Sequence, residues 1–281
     1  MTRAAEETTL TFLWEHYEVL LFDAYGVLLH SSGALPGAVE LVERLNREKK
    51  PYYILTNDAS RLPATAAAKY RSCGLSVPPE RIITSGSLLE HFFQEHALAG
   101  KRCVVLGTPD SVRYAEDAGG NIVAPGEDLE VLVCADEAGV PSIDVLDAVL
   151  TSICRAIDGG RQVHLVLPNP DLIYPKGDGA YGFGAGSIAR LFEGALGLRY
   201  PNRSDLAFAG LGKPGPGLFR EALSRSGSRR MVMVGDQMET DIAGARAFGI
   251  DAAWIETGVS AGVPDDAPAG LGPTYRLRAL G

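Results

Sequence analysis

The chain alternates short, wholly apolar runs with longer stretches in which apolar residues recur every three or four positions. A run of roughly 4–8 apolar residues reads as a buried strand, and the longer spacing reads as a helix with one apolar face. On this basis Val19–Phe22 is a strand, and Pro36 opens a helix through Leu41 and Leu45 to Lys49, with basic residues in its last turn. Pro51–Leu55 is a second strand, ending in Thr56-Asn57-Asp58. An alanine-rich helix over Pro63–Cys73 is stopped by Gly74. Arg81–Thr84 forms a short strand, followed by a helix around Leu88–Phe93.

A second set of alternations fills the middle. Strands are expected at Arg102–Leu106, Leu129–Cys134 and Val163–Leu167, with helices at Ser111–Ala118, Ser142–Ile157 and Ser187–Leu196. The long helix should bury Ile143, Leu146, Leu150, Ile153 and Ile157 on one face. Leu206–Ala209 then enters Gly210-Leu211-Gly212-Lys213-Pro214, a helix runs to Leu223, and Met231–Val234 ends at Gly235-Asp236. Thr240-Asp241 begins a helix that stops at Gly249, Ala252–Ile255 is a late strand, and Gly262–Pro273 an ordered surface loop. Tyr275–Leu277 is expected as an edge strand. Strands alternating with helices over nearly the whole length predict an α/β protein with parallel sheets. The middle block reads as a compact unit inserted into a surrounding one.

Composition narrows the choice of function. The 281 residues carry a formal charge of −9, which argues against a binder of phosphate backbones. Cys73, Cys103, Cys134 and Cys154 are scattered without ligand spacing and read as reduced thiols. Met1–Thr9 lacks an apolar leader, and no run approaches membrane-spanning length, so a soluble cytoplasmic protein is expected, with no membrane or nucleic-acid partner.

The chemistry sits at strand ends. Val19–Phe22 drives Asp23 to the end of a buried strand, where an unpaired carboxylate is costly. Thr56-Asn57, Lys213, and Asp236 with Asp241 are polar stations of the same kind, and open α/β sheets bind ligands outside the carboxyl ends of their strands. Converging carboxylates need a hard cation, and oxygen-only ligands suit Mg²⁺. A hydroxyl, an amide and an ammonium in the same cleft suit an anionic phosphate, which implies phosphoryl transfer through an aspartyl-phosphate.

Phe22-Asp23-Ala24-Tyr25-Gly26, Leu55-Thr56-Asn57, Gly212-Lys213-Pro214 and Gly235-Asp236-Gln237-Met238-Glu239-Thr240-Asp241 resemble the four ordered motifs of the haloacid dehalogenase superfamily. The insertion, with Leu167-Pro168-Asn169-Pro170-Asp171, is similar to the C2-type α/β cap of the NagD-like phosphatases (class IIA). The resemblance implies a Rossmann-like, doubly wound parallel-sheet core over residues 1–85 and 206–281, with an inserted α/β cap over 86–205. It implies Asp23 as nucleophile and Mg²⁺ ligand, the Tyr25 carbonyl and Asp236 as further ligands, and Asp241 supporting the metal or Lys213. Thr56 and the Asn57 backbone would hold phosphate oxygens, and Lys213 would neutralise nucleophile and phosphate. The expected activity is Mg²⁺-dependent hydrolysis of a small phosphorylated metabolite, with a homodimer through the cap as a further expectation.

Tyr25 departs from the pattern. Phosphatases of this superfamily usually carry a second Asp there, as acid and then base. A phenol with a pKa of about 10 donates a proton but is a poor base at neutral pH, so dephosphorylation should suffer most. Asp-x-Tyr-Gly also resembles the metal-independent 2-haloacid dehalogenases of the superfamily, which gives one alternative. A catalytically weak phosphate-binding protein is a second. A dinucleotide-binding oxidoreductase is a third, from the Gly-x-Gly-x-x-Gly matches at 177–182 and 210–215. Asp58 is expected to cap a helix or to touch substrate. Asp171 and Tyr174 are candidate substrate contacts, and His164 reads as a sheet-face histidine.

Overall fold

The computed structural model describes residues 5–30, 32–177, 180–256 and 272–280. Two parallel sheets organise them. The larger runs Glu6–Thr8, Tyr275–Leu277, Asp251–Ile255, Met231–Gly235, Val19–Phe22, Tyr52–Thr56, Ile82–Thr84, with every neighbouring pair parallel. Its central strands Val19–Phe22, Tyr52–Thr56 and Met231–Gly235 are buried at every position because helices cover both faces. Leu20, Phe22, Ile54, Val232 and Val234 pack with the Ala38–Arg47 and Pro63–Ser72 helices on one side. Val19, Leu21, Leu55, Met231 and Met233 pack with Gly217–Ser226 and Ala243–Phe248 on the other. The parallel sheet is the one that the alternation predicts, and its doubly wound, Rossmann-like form is the one that the resemblance implies.

The second sheet runs Ala209–Gly210, His164–Leu167, Val131–Cys134, Arg102–Leu106, Asn121–Ile122, again all parallel. The chain expected to leave the inserted block near residue 205 therefore still supplies an edge to its sheet at Ala209–Gly210, and the strand expected over Leu206–Ala209 shrinks to those two residues. An antiparallel hairpin, Ile173–Gly177 with Ala180–Phe183, completes this unit.

Three expectations change. Tyr275–Leu277 is not an edge, because the polar Glu6–Thr8 segment pairs outside it in parallel register, with Glu7 also bonded to Arg278. The Ile143–Asp158 helix buries Leu146, Ile153 and Ile157 as expected and Leu150 in part, with Val149 and Ala156 joining them, but Ile143, in the first turn, is 63% exposed. Thr240-Asp241 does not open an ordinary helix but lies in a wide turn over Met238–Ile242, closed by the Ile242 amide on the Gln237 carbonyl five residues back. Such π-type turns occur mostly at functional sites. Among the described residues all four cysteines are free and no helix is long and apolar enough to cross a membrane. Residues 262–271 of the expected tail loop, Asp178 and Gly179 of the first glycine motif, and residues 1–4 lie outside the described residues.

Candidate active site

Strand register brings the polar stations together. Phe22 is level with Val234 on one neighbour and Ile54 on the other. The next residues out, Asp23, Gly235-Asp236 and Leu55-Thr56, therefore emerge side by side at the carboxyl edge. Carboxylate oxygens of Asp23, Asp236 and Asp241 lie within 4.8 Å of one another, and all three residues are buried. Lys213 enters from the opposite loop. Its Nζ donates to Asp23 Oδ1 (2.5 Å), Asp241 Oδ1 (2.6 Å) and the Leu55 carbonyl (2.8 Å).

The balance of charge follows from these contacts. Burial alone would drive the Lys213 proton off, but Asp23 and Asp241 outweigh it and hold the ammonium charged, well above the ordinary lysine range. Burial raises the Asp23 carboxyl well above its usual range; Lys213 opposes this, and Asp241 and Asp236 add to it. One ammonium among three buried carboxylates leaves an excess of negative charge that a hard divalent cation would satisfy. Asp241 has both oxygens engaged, Oδ1 by Lys213 and Oδ2 by the Gln237 amide at 3.2 Å. It is not a simple helix cap, and its geometry is that of a support for Lys213.

Gly26 shapes the floor of this cluster. Its φ is +91°, and a Cβ there would lie 2.4 Å from Asp236 Oδ2. Only glycine meets both demands. The turn after Asp23 is closed by the Leu28 and Leu29 amides on the Ala24 carbonyl and the Gly26 amide on the Leu29 carbonyl. Asp236 is fixed through its backbone, whose carbonyl accepts from the Trp254 indole at 3.0 Å.

Thr56 and Asn57 are buried at the next strand end. The Thr56 hydroxyl accepts from the Asp58 amide. The Asn57 side chain accepts from the Lys213 amide (2.7 Å) and donates to both the Lys213 carbonyl (3.0 Å) and Asp171 Oδ1 (2.8 Å). Asp171 thus meets the site through Asn57. Asp58 does not cap the following helix. Its carboxylate takes the Ser60 amide and hydroxyl and pairs with Arg61 at 3.0 Å, while Leu62, at the helix start, donates to Asp110 of the inserted unit. Tyr174 sits on the hairpin, and burial, then the nearby Glu137, raise its phenol above its ordinary range. The half-buried Tyr25 phenol is held protonated above its ordinary range, first by burial and then by Asp58, with Arg61 opposing.

Two groups carry no mark in the sequence. Arg61 interacts electrostatically with Tyr25 and with Asp136 of the inserted unit. Burial, with Glu137 and Asp58 nearby, pushes Asp136 up to about 6. The 210–215 stretch is a lysine-presenting loop: the Gly212 amide is spent on the Pro168 carbonyl, whereas a dinucleotide phosphate would need such amides open. His164, on its strand, lies near His96.

A doubly wound parallel sheet with a lysine-bridged carboxylate cluster at its carboxyl edge, and an α/β unit inserted beside it, defines a Rossmann-like hydrolase core with a cap. The chain belongs to the haloacid dehalogenase superfamily of hydrolases, in its NagD-like branch. A haloacid dehalogenase-like hydrolase model matches residues 20–121, and a second, HAD-hydrolase-like model matches 210–278. The chain is 29% identical over 242 residues to a dihydroxyacetone phosphatase of Corynebacterium glutamicum, covering 85% of this chain and 81% of that one. A crystal structure from Cytophaga hutchinsonii, described as a possible sugar phosphatase of the same superfamily, superposes with a TM-score of 0.84 at 28% identity over 99% of both chains. A glycerol phosphate phosphatase of Mycobacterium tuberculosis in complex with magnesium gives 0.79 at 26% identity, over 95% of this chain and 77% of that one.

Proposed function

We propose that this chain is a Mg²⁺-dependent phosphatase acting on a small polyol or sugar monophosphate through an aspartyl-phosphate on Asp23. The observation that carries this reading is the Lys213 ammonium bonded at once to Asp23 and Asp241, in the same cluster as Asp236. The relatives named for dihydroxyacetone phosphate and glycerol phosphate support the substrate class. The donor set fits the metal: buried, oxygen-only and over-negative. Asp23, Asp236 and the Tyr25 carbonyl would hold the ion, which when bound supplies positive charge against the phosphoryl oxygens.

In the first half-reaction an Asp23 oxygen attacks phosphorus, the bond from phosphorus to the substrate's alcohol oxygen breaks, and the departing oxygen takes a proton from solvent water to leave as the alcohol, so that the Tyr25 phenol keeps its own. Lys213 offsets charge on the phosphoryl group, and Thr56 with the Asn57 backbone orients it. In the second, water attacks phosphorus, the acyl phosphate bond breaks, and Asp23 is regenerated with release of phosphate. That water must give up a proton, and the Tyr25 phenol, already protonated and raised in pKa, does not take it at neutral pH, so it passes to bulk water without a positioned base. Hydrolysis of the intermediate is therefore the slow step.

The test is phosphate release from p-nitrophenyl phosphate. It should require Mg²⁺, stop in EDTA and vanish in Asp23→Asn. Tyr25→Asp should raise turnover; an unchanged or lower rate would remove Tyr25 as the limiting group. Halide release from 2-haloacids in EDTA, without phosphate release, would sink the phosphatase reading in favour of a dehalogenase.

A further inference from the structure

The loop that presents Lys213 is held by the inserted unit as much as by the core. Leu211 and Gly212 donate their amides to the carbonyls of Leu167 and Pro168, at 3.0 and 3.1 Å. Asn57 then grips Lys213 from both sides, taking its amide and giving to its carbonyl. The same Asn57 amide nitrogen donates its other proton to Asp171. An Asn amide flips readily between two poses, and with both of its N–H groups and its carbonyl used here only one pose satisfies all three partners.

Asp171 is itself rigidly presented. Its own amide donates to Asn169 Oδ1, and its carbonyl accepts from Gly186 at the start of the Ala185–Arg199 helix. A Cβ at Gly186 would fall 2.3 Å from the Pro170 carbonyl, so this loop and helix start pack backbone against backbone. Asp171 is partly buried, and both Lys213 and Asp241 act on its carboxylate electrostatically. A side chain aimed at substrate would not be locked onto a core amide in this way.

We propose that Asp171 is a positioning residue: by fixing the Asn57 amide it sets the backbone of Lys213, so that seating of the cap unit and placement of the ammonium on Asp23 are one event. Only the kinetic half of the test rests on the phosphatase reading. With p-nitrophenyl phosphate and Mg²⁺, Asp171→Ala should lower kcat about tenfold or more, the size of one lost hydrogen bond to a charged group, with little change in KM. Asp171→Asn keeps an acceptor oxygen and should restore most of kcat. Asp171→Ala should add little to Asn57→Ala, because the two act in one chain.

The second readout needs no turnover. Exchange of the Lys213 backbone amide with deuterium should accelerate about tenfold in Asp171→Ala and stay at the wild-type rate in Asp171→Asn. Should Asp171→Ala not fold, Asp171→Ser, whose hydroxyl falls short of Asn57, takes its place. A change in KM alone, full additivity with Asn57→Ala, or unchanged exchange at Lys213 would overturn the assignment. If the wild type releases no phosphate yet its Lys213 amide is protected through Asp171, the phosphatase reading fails and the positioning role stands.

Discussion

Replacing Gly26 by alanine separates the cost of a strained backbone from the loss of a metal site. With φ at +91°, an L-residue there costs about 1–2 kcal/mol. The added Cβ would also sit 2.4, 2.5 and 2.8 Å from Asp236 Oδ2, Cγ and Oδ1. Ordinary carbon contacts begin at about 3.5 Å, so the carboxylate must retreat by roughly 1 Å from a fully buried position. Overpacking of this kind costs about 1–3 kcal/mol, for a total of about 2–5 kcal/mol. At about 2–4 °C per kcal/mol for a chain of this size, the expected fall in Tm is on the order of 5–15 °C. Gly249 is the matched control, with φ at +86° and open space within 4 Å of where a Cβ would lie. Gly249→Ala should lose only the backbone share, roughly 3–6 °C. The discriminating assay is the rise in Tm on adding Mg²⁺, about 2.7 kcal/mol in stability at a hundredfold excess over Kd. Wild type and Gly249→Ala should show it and Gly26→Ala should not. Phosphate release by Gly26→Ala should fall by about 10²-fold, as a 1 Å misplacement implies. A Gly26→Ala protein that keeps the full Mg²⁺ response would refute the reading of Asp236 as a ligand held in place by Gly26.

Lys213→Met leaves Asp23 and Asp241 buried without their cation and should destabilise the protein by about 3–5 kcal/mol near neutral pH in EDTA. In that variant Asp23, whose carboxyl burial already raises, loses the ammonium that opposes the rise, so its contribution to stability is greatest in acid and is lost as pH rises. Denaturant midpoints should therefore converge with wild type toward pH 5, and a deficit independent of pH would point to lost packing instead. Asp136, shifted from 3.8 to about 6, favours its protonated folded form, a contribution complete below pH 3.8 and lost as pH rises through about 6. The shift corresponds to about 3 kcal/mol at most, and partial exposure reduces it to about 1–2 kcal/mol. Asp136→Asn should thus stabilise the protein at pH 8 by that amount and leave it unchanged at pH 3.5, as equilibrium urea unfolding at the two pH values would show.

Much of the site was legible because its residues lie where a strong pattern stops. Four or five apolar residues followed by Asp23, Thr56 or Gly235-Asp236 announce a strand end, and a parallel sheet puts such ends on one edge. The partnerships were not legible, since they depend on side-chain direction across units far apart in sequence. Asp58, with helix-start spacing, is drawn instead onto Arg61 and Ser60, while Asp110 from the inserted unit serves the helix start. Glu6–Thr8 has no apolar pattern to betray it and pairs as a strand where Tyr275–Leu277 offers it a backbone edge. Ile143 fits the helical stripe by spacing, yet lies in the first turn and remains exposed.

The same partnerships bear on how the two units share the chemistry. Asp23 and Asp236 are placed by the core sheet alone, through paired strands and the turn at Gly26. Lys213 is not: the amides just before it are bonded to Leu167 and Pro168, and its own backbone is gripped by an Asn57 that Asp171 orients. The loop after Asn57 is tied to the inserted unit as well, by Thr108 to the Ser60 carbonyl, Ser111 to the Ala59 carbonyl and Tyr114 to the Arg61 carbonyl. Both loops that meet the phosphate in the proposed mechanism are therefore anchored in the second unit. A core cut free of it would keep its carboxylates in register and lose the fixed ammonium between them. The inserted unit is in this sense part of the site's framework.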